Sequence, residues 1–165
     1  MLATPHIVVG ALIGAKTHNL GLIVILGLLS HIIMDKIPHW DYSFSSDIER
    51  FKKEKSIKYL FPVTIKFFTD VVIGLLIVAI FIWQKNILNT ENLIFILLGI
   101  LFACFLDVIM LIAVFWNSNK TWQKIFIIME KFLHFQHKEK EGQITFLGLA
   151  TQILVIAIAI ILFFS

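Results

Sequence analysis

The sequence contains few charged residues: Asp, Glu, Lys and Arg make up 15% of its 165 residues, whereas 59% are hydrophobic. Soluble domains carry about 25% charged residues, so this deficit excludes an ordinary soluble domain and points to a lipid bilayer. The single cysteine, Cys104, excludes an intramolecular disulfide. The net charge of +3 is small. Because no nucleic-acid-binding motif accompanies it, we expect no nucleic-acid partner.

Long apolar runs make up most of the remaining chain. A helix needs about 20 apolar residues to cross the hydrocarbon core of a bilayer. The runs over residues 61–83, 92–115 and 144–164 meet this length, and the run over 20–38 is slightly shorter. The run over 4–16 is too short to span alone. It is predicted either to cross with the help of flanking polar residues or to form a re-entrant helix.

The sequence therefore predicts an all-α fold: a polytopic transmembrane helix bundle with four to five membrane helices, forming a single integral membrane domain over residues 1–165. The first helix has a recognisable start, because Thr4 suits the N-cap and Pro5 the first helical position. Gly10 and Gly14 give this helix a face of small residues, so we expect it to pack tightly against a neighbour.

Two polar segments, 39–60 and 116–143, contain most of the basic residues. Eleven Lys and Arg lie in them or directly beside them, whereas the opposite connections contain only Lys16 and Lys85. The positive-inside rule therefore predicts that both segments are cytoplasmic loops of a multi-pass protein in the inner (plasma) membrane. Apolar residues in the second loop recur at helical spacing and predict an interfacial amphipathic helix. These residues are Trp122, Ile125, Phe126, Met129, Phe132 and Leu133.

Ionisable side chains inside apolar helices are rare and are candidates for function, because a charge in lipid is costly. We single out five histidines and aspartates in such helices: His6, His31, Asp35, Asp70 and Asp107. At about 1.5 Å per residue, each lies within roughly 15 Å of the predicted cytoplasmic end of its own helix. Successive helices run in opposite directions, so sequence position alone does not produce this agreement. We predict that these side chains meet in one pocket beneath the cytoplasmic surface.

The densest group of polar residues surrounds the end of the second helix. His31 and Asp35 are four residues apart and share a helix face, so both can bind one metal ion. Pro38 disfavours a longer helix, and His39 and Asp41 can then fold back toward the same ion. Two imidazoles and two carboxylates suit a divalent metal such as Zn²⁺, Mn²⁺ or Fe²⁺ better than Ca²⁺.

The sequence thus predicts a divalent metal cofactor, with Zn²⁺ or Mn²⁺ favoured. The predicted metal ligands are His6, His31, Asp35, His39 and Asp41. Asp70 and Asp107 are the predicted catalytic residues, each as a second-metal ligand or a general base.

Simpler explanations stay open for several residues. Asp70 can pair with Lys66 one turn earlier, and Asp107 can be a protonated buried carboxyl. His134 and His137 either join the site or belong to a solvated loop. His18 is predicted at the opposite side of the membrane and is left out of the site.

An early His in a glycine-containing helix (residues 4–14) precedes a helix that ends in Pro with His and Asp around it (residues 30–41). Over residues 1–45 this arrangement resembles the YdjM-like family of membrane-bound metal-dependent hydrolases, and later parts of the chain are similar in hydropathy. The resemblance implies a divalent metal held by the ligands His31, Asp35, His39 and Asp41, and hydrolytic chemistry. The family's later His-Arg-Gly stretch has no counterpart in this sequence.

Three functions are compatible with these patterns. The first is a metal-dependent hydrolase that acts at the cytoplasmic leaflet on a phosphoester or acyl bond of a membrane lipid. In this case the basic loops would attract acidic headgroups. The second is a metal-ion or proton transporter, although no series of ionisable residues continues through the outer half. The third is a non-catalytic scaffold with a structural His/Asp metal site.

Overall fold

The computed structural model describes residues 1–41, 50–51, 53–54, 56–115, 120–122, 124, 127–128 and 145–165. Every regular element in these ranges is helical, which confirms the all-α prediction. The elements are α1 (Ala3–Thr17), α2 (Leu20–Lys36), a 3₁₀ turn (Ile57–Tyr59), α3 (Leu60–Lys85), α4 (Thr90–Ala103), α5 (Phe105–Phe115) and α6 (Phe146–Phe164).

Among the described residues, two helices are long and apolar enough to cross a bilayer, namely Phe61–Lys85 in α3 and Phe146–Phe164. The pair α4 and α5 passes the same test if it forms one span that bends by 49° at the break between the helices. The described part of the chain thus has two to three candidate membrane spans, which is consistent with membrane insertion. Helices α1 and α2 have 15 and 17 residues and are shorter than these spans.

The segment predicted as one membrane helix over about 92–115 consists of two helices, because α4 ends at Ala103 and α5 begins at Phe105. No Pro or Gly marks this break in the sequence, and the apolar run continues through it. A tertiary contact lies at the break instead: the Ala103 carbonyl oxygen accepts a hydrogen bond from His31 Nδ1 at 2.7 Å. Helix ends leave carbonyl groups without intrahelical partners, and here a buried side chain provides one.

Helix α1 lies at the centre of the bundle and contacts α2, α3, α4 and α6. Its contact with α4 is a backbone contact made through glycines. A Cβ atom added at Gly14 would lie 2.1 Å from the Phe95 carbonyl oxygen, and one at Gly10 would lie 2.6 Å from the Gly99 carbonyl oxygen. The tight packing expected from Gly10 and Gly14 is therefore present, because only glycine lets the two backbones approach so closely.

The start of α1 differs from the prediction. The helix begins at Ala3 with Leu2 as its N-cap, and no side chain of α1 caps it. The Thr4 hydroxyl, expected to act as the cap, instead donates to the Asp70 carboxylate on α3 at 2.6 Å. The hydrogen-bond acceptor at the start of α1 thus comes from a neighbouring helix. The N-cap rule would instead place it on a residue at the start of the same helix.

The segment Pro38–Asp41 follows α2 and lies against the first turns of α6. Thr151 Oγ1 donates to the Pro38 carbonyl oxygen at 2.6 Å, and Gln152 Nε2 donates to the Trp40 carbonyl oxygen at 2.6 Å. A Cβ atom at Gly148 would lie 2.7 Å from Trp40 N. Helix α2 ends at Lys36, close to the end expected from Pro38.

Part of the predicted loop over 116–143 lies outside the described residues. These include His134 and His137 and most of the apolar positions of the predicted amphipathic helix. The described positions 120–122, 124 and 127–128 are helical.

Candidate metal centre

Two histidines from neighbouring helices form the centre of the site. His6 lies in the first turn of α1 and His31 near the end of α2, and these two helices run in opposite directions. The two imidazole rings stack with their centroids 4.1 Å apart and their planes at 21°. Both side chains are completely buried. The predicted meeting of His6 and His31 is therefore present in the fold.

The hydrogen bond of His31 to Ala103 determines which ring nitrogen is available. A carbonyl oxygen only accepts, so Nδ1 of His31 carries the proton that it donates to Ala103. In the neutral ring, Nε2 then carries the lone pair. This is the arrangement of a metal-binding histidine, whose second nitrogen usually donates to a carbonyl or carboxylate.

Asp35 lies between the two imidazoles, one turn beyond His31. Its Oδ1 is 3.2 Å from His6 Nε2 and its Oδ2 is 3.0 Å from His31 Nε2. The carboxylate is 1% exposed. Its Oδ1 also lies 2.8 Å from the nitrogen of Met1.

His31 Nε2 and Asp35 Oδ2 are close enough for an ion pair, but they are not aligned as a hydrogen bond. Neither atom has a hydrogen-bond partner within the described part of the chain. Buried polar atoms without partners are costly, and native structures contain few of them. With the His31 ring neutral, these atoms are two adjacent buried electron-pair donors, an arrangement that can hold a cation between them. The donor set therefore fits a divalent metal.

Asp107, in the first turn of α5, completes a group that can hold a metal ion. One ligand atom each from His6, His31 and Asp107 lies within 4.8 Å of the others. Asp107 Oδ1 is 3.7 Å from His31 Nε2. The Asp107 side chain is 27% exposed, whereas both histidines are fully buried. The group thus has one accessible side, at Asp107.

His39 and Asp41, both predicted as ligands, lie beside this group and not within it. Asp41 Oδ2 is 3.3 Å from the nitrogen of Met1, which also contacts Asp35. His39 Nδ1 donates to the Ile37 carbonyl oxygen at 2.7 Å. Burial, followed by the Met1 ammonium group, lowers the pKa of His39 to about 4. Its imidazole is neutral at pH 7, which is the form that binds metals.

Asp70, predicted as catalytic, contacts the start of α1. Its Oδ2 accepts from the backbone nitrogens of Ala3 and Thr4, the latter at 3.3 Å, and its Oδ1 accepts from the Thr4 hydroxyl. The Thr4 hydroxyl also lies 2.8 Å from the Asp70 carbonyl oxygen. Asp70 is buried, whereas Lys66, the partner considered from the sequence, is exposed. A catalytic role for Asp70 stays a prediction.

Sequence reasoning missed three groups that position the site. The Ala103 carbonyl has no sequence signal, because every residue carries the same group. Thr4 was identified as a cap but without its partner. Gln152 had a detectable signal, since it is an isolated amide within the last apolar run, and it holds the segment that contains His39.

No protein-family model, no curated protein and no solved structure matches this chain. The fold and the site therefore define only a class. This class is an all-helical protein with two to three helices apolar enough to span a membrane, in which histidine and aspartate side chains of separate helices form a group that could hold a metal ion.

Proposed function

We propose that this protein is a metal-dependent hydrolase that acts at the cytoplasmic leaflet of the inner (plasma) membrane, on a phosphoester or acyl bond of a membrane lipid. One observation carries the proposal. His31 Nε2 and Asp35 Oδ2 are buried 3.0 Å apart without hydrogen-bond partners, beside His6 and Asp107. Such a pair supports a bound cation, which would satisfy both atoms when the His31 ring is neutral.

The ligand set supports hydrolytic chemistry. Catalytic zinc sites use three protein ligands, often two His and one carboxylate, and keep one coordination position open. His6, His31 and Asp107 provide such a set, and Asp35 is a fourth possible ligand. When bound, a divalent metal polarises the scissile group and lowers the pKa of its water to about 7.

The residues of the chain have distinct tasks in this proposal. The Ala103 carbonyl holds the His31 ring so that Nε2 faces the centre. Asp35 accepts from His6 Nε2 and thereby fixes the second imidazole. Asp107 is the partly exposed member of the group, so it can meet both the attacking water and the substrate. When Asp35 is the carboxylate ligand beside His6 and His31, Asp107 is left to remove the proton from that water.

The surroundings of Asp107 support a lipid substrate. Phe105 and Val108, its neighbours on α5, are 39% and 43% exposed. An acyl chain can lie against these apolar side chains while the headgroup reaches Asp107. The basic residues near both cytoplasmic loops would attract acidic headgroups to the same side of the membrane.

The membrane arrangement belongs to the same proposal. Besides the candidate spans, α1 and α2 lie in the membrane, which gives four to five membrane helices with the site near the cytoplasmic end. The eleven Lys and Arg of the two loops support this orientation. The resemblance of residues 1–45 to the YdjM-like hydrolases supports the same activity.

The close packing of the other half of α1 argues against transport. Gly14 is in backbone contact with Phe95 and Ile96 on α4, so these described residues leave no polar path between the two helices. A transporter needs a polar path through the membrane, and this pair of helices supplies none at that depth.

The test is hydrolysis in liposomes that contain the purified protein and either a phospholipid or a diacylglycerol ester. We expect activity that a chelator abolishes and that added Zn²⁺ or Mn²⁺ restores. His31→Ala should remove both bound metal and activity. His18→Ala is the matched control, because His18 stacks on Phe95 at the other end of α1 and should have no effect on either.

Three outcomes would contradict the hydrolase. Full activity in metal-free protein or in a folded His31→Ala variant would remove the metal from the mechanism. Metal or proton flux across the liposomes that Asp107→Asn abolishes, without hydrolysis, would identify a transporter. Stoichiometric metal with neither hydrolysis nor flux would identify a structural site.

A further inference from the structure

Helix α1 begins without the usual local stabilisation. Its first turn contains no acidic residue, and its N-cap, Leu2, makes no side-chain hydrogen bond. The first N–H groups of a helix have no intrahelical acceptors, and they carry a partial positive charge. An acceptor must therefore come from elsewhere in the fold.

Asp70 on α3 is this acceptor. Its carboxylate accepts hydrogen bonds from Ala3 N, Thr4 N and the Thr4 hydroxyl, and it is only 4% exposed. Hydrogen bonds to an ionised carboxylate are about twice as strong as neutral ones. Because Asp70 lies inside the candidate span Phe61–Lys85, these bonds also satisfy a polar group that would be costly to bury without partners.

The hydrogen bonds to Asp70 are close to the metal centre along α1. His6 is three residues after Ala3 and two after Thr4, within the same turn. A shift of α1 by one residue along its axis would move His6 by about 1.5 Å. Metal and catalytic sites need their ligands placed to within about 0.5 Å. The axial position of α1 therefore decides whether His6 reaches His31.

The glycine contacts do not replace this restraint. Gly10 and Gly14 determine how closely α1 approaches α4. Asp70 instead binds the end of α1 and connects it to α3, so it fixes the position of α1 along its own axis. The two restraints act in different directions.

We propose that Asp70 is a positioning residue of the metal centre: its hydrogen bonds to Ala3 and Thr4 hold α1 where His6 faces His31 and Asp107. This inference rests on the proposed metal site. It gives Asp70 a role different from the catalytic one predicted from the sequence, since its oxygens contact α1 and are not among the atoms that can hold the metal.

The test compares metal affinity among variants of the full chain in detergent, by competition with a chromogenic zinc chelator. Asp70→Asn exchanges one acceptor oxygen for an amide that faces N–H donors. Thr4→Val removes the hydroxyl with little change in volume. We expect both variants to bind Zn²⁺ about 10- to 100-fold more weakly, as is usual when outer-shell partners are lost. Thr4→Ser, which keeps the hydroxyl, should bind like the wild type.

Asn89→Ala is the matched control for a general loss of stability. Asn89 caps α4 by accepting from Asn92 N at 2.8 Å, and the site ligands lie away from that end of the helix. We expect this variant to melt at a lower temperature with unchanged zinc affinity. The absorption spectrum of bound Co²⁺ gives a second readout, because loss of the His6 ligand changes the coordination geometry, whereas lower stability alone does not.

The outcomes separate this inference from the proposed function. If the wild type binds metal and Thr4→Val binds it equally well with the same Co²⁺ spectrum, the positioning role is wrong and the metal site stands. Thr4→Val decides the question if Asp70→Asn does not fold. Equal losses of affinity in Thr4→Val and Asn89→Ala would also contradict the inference. A wild type that binds no metal would overturn both.

Discussion

The imidazole Nδ1 of His31 lies 2.7 Å from the carbonyl oxygen of Ala103, at the break between α4 and α5. One hydrogen bond thus joins the end of a helix to a histidine of the candidate metal centre. The bond orients the ring, and it assigns the proton to Nδ1 because the carbonyl oxygen cannot donate.

The tautomer of His31 is the first testable consequence. In metal-free protein at a pH where the ring is neutral, we expect the proton on Nδ1 and the lone pair on Nε2, since only this tautomer donates to Ala103. Nitrogen chemical shifts of protein labelled with ¹⁵N at histidine, assigned with the His31→Ala variant, measure this directly. A ring protonated at Nε2 would contradict the assignment and weaken the metal site.

The glycine contacts between α1 and α4 lead to a second prediction. Gly14→Ala should destabilise the fold by about 1–3 kcal/mol or more, because the new Cβ meets backbone atoms that cannot rotate away. Unfolding in mixed micelles with increasing denaturing detergent measures the difference. Gly21→Ala is the control, since the nearest atom to its new Cβ is 3.4 Å away, at Asn19 Oδ1. Similar losses in both variants would show that the contact at Gly14 is not responsible.

The contact of Gln152 with Trp40 gives a third prediction. Gln152→Met keeps the shape of the side chain but removes the donor to the Trp40 carbonyl oxygen, which should cost about 1–3 kcal/mol. We expect the segment Pro38–Asp41 to detach more often from α6 and chymotrypsin to cleave after Trp40 more rapidly. Gln84→Met, at an exposed position of α3, is the control. Equal cleavage rates in the two variants would contradict the prediction.

The orientation in the membrane is the fourth prediction. In a Cys104→Ser background, the Lys85→Cys variant should react with a membrane-impermeant maleimide added to intact cells. The Lys36→Cys variant in the same background should react only after the membrane is permeabilised, because the basic loops are expected on the cytoplasmic side. The reverse labelling pattern would place the candidate metal centre at the outer surface.

The sequence by itself determined that the chain forms long apolar helices and that His31 and Asp35 lie on the same helix face. Apolar runs of about 20 residues leave few alternatives to helices in a bilayer, because every backbone polar group must be satisfied within its own segment. The spacing of His31 and Asp35 likewise depends only on the period of the helix, so it was visible before the fold was known.

Tertiary structure decided what depends on contacts between distant parts of the chain. The break at Cys104 accompanies the hydrogen bond from His31 to Ala103, and no local signal reveals it. Asp70 caps α1 across a separation of 66 residues. The partner that the sequence suggested for Asp70 was Lys66, one turn earlier on the same helix. Depth in the membrane can be counted along a helix, but the direction in which a side chain points around the bundle depends on how the helices pack.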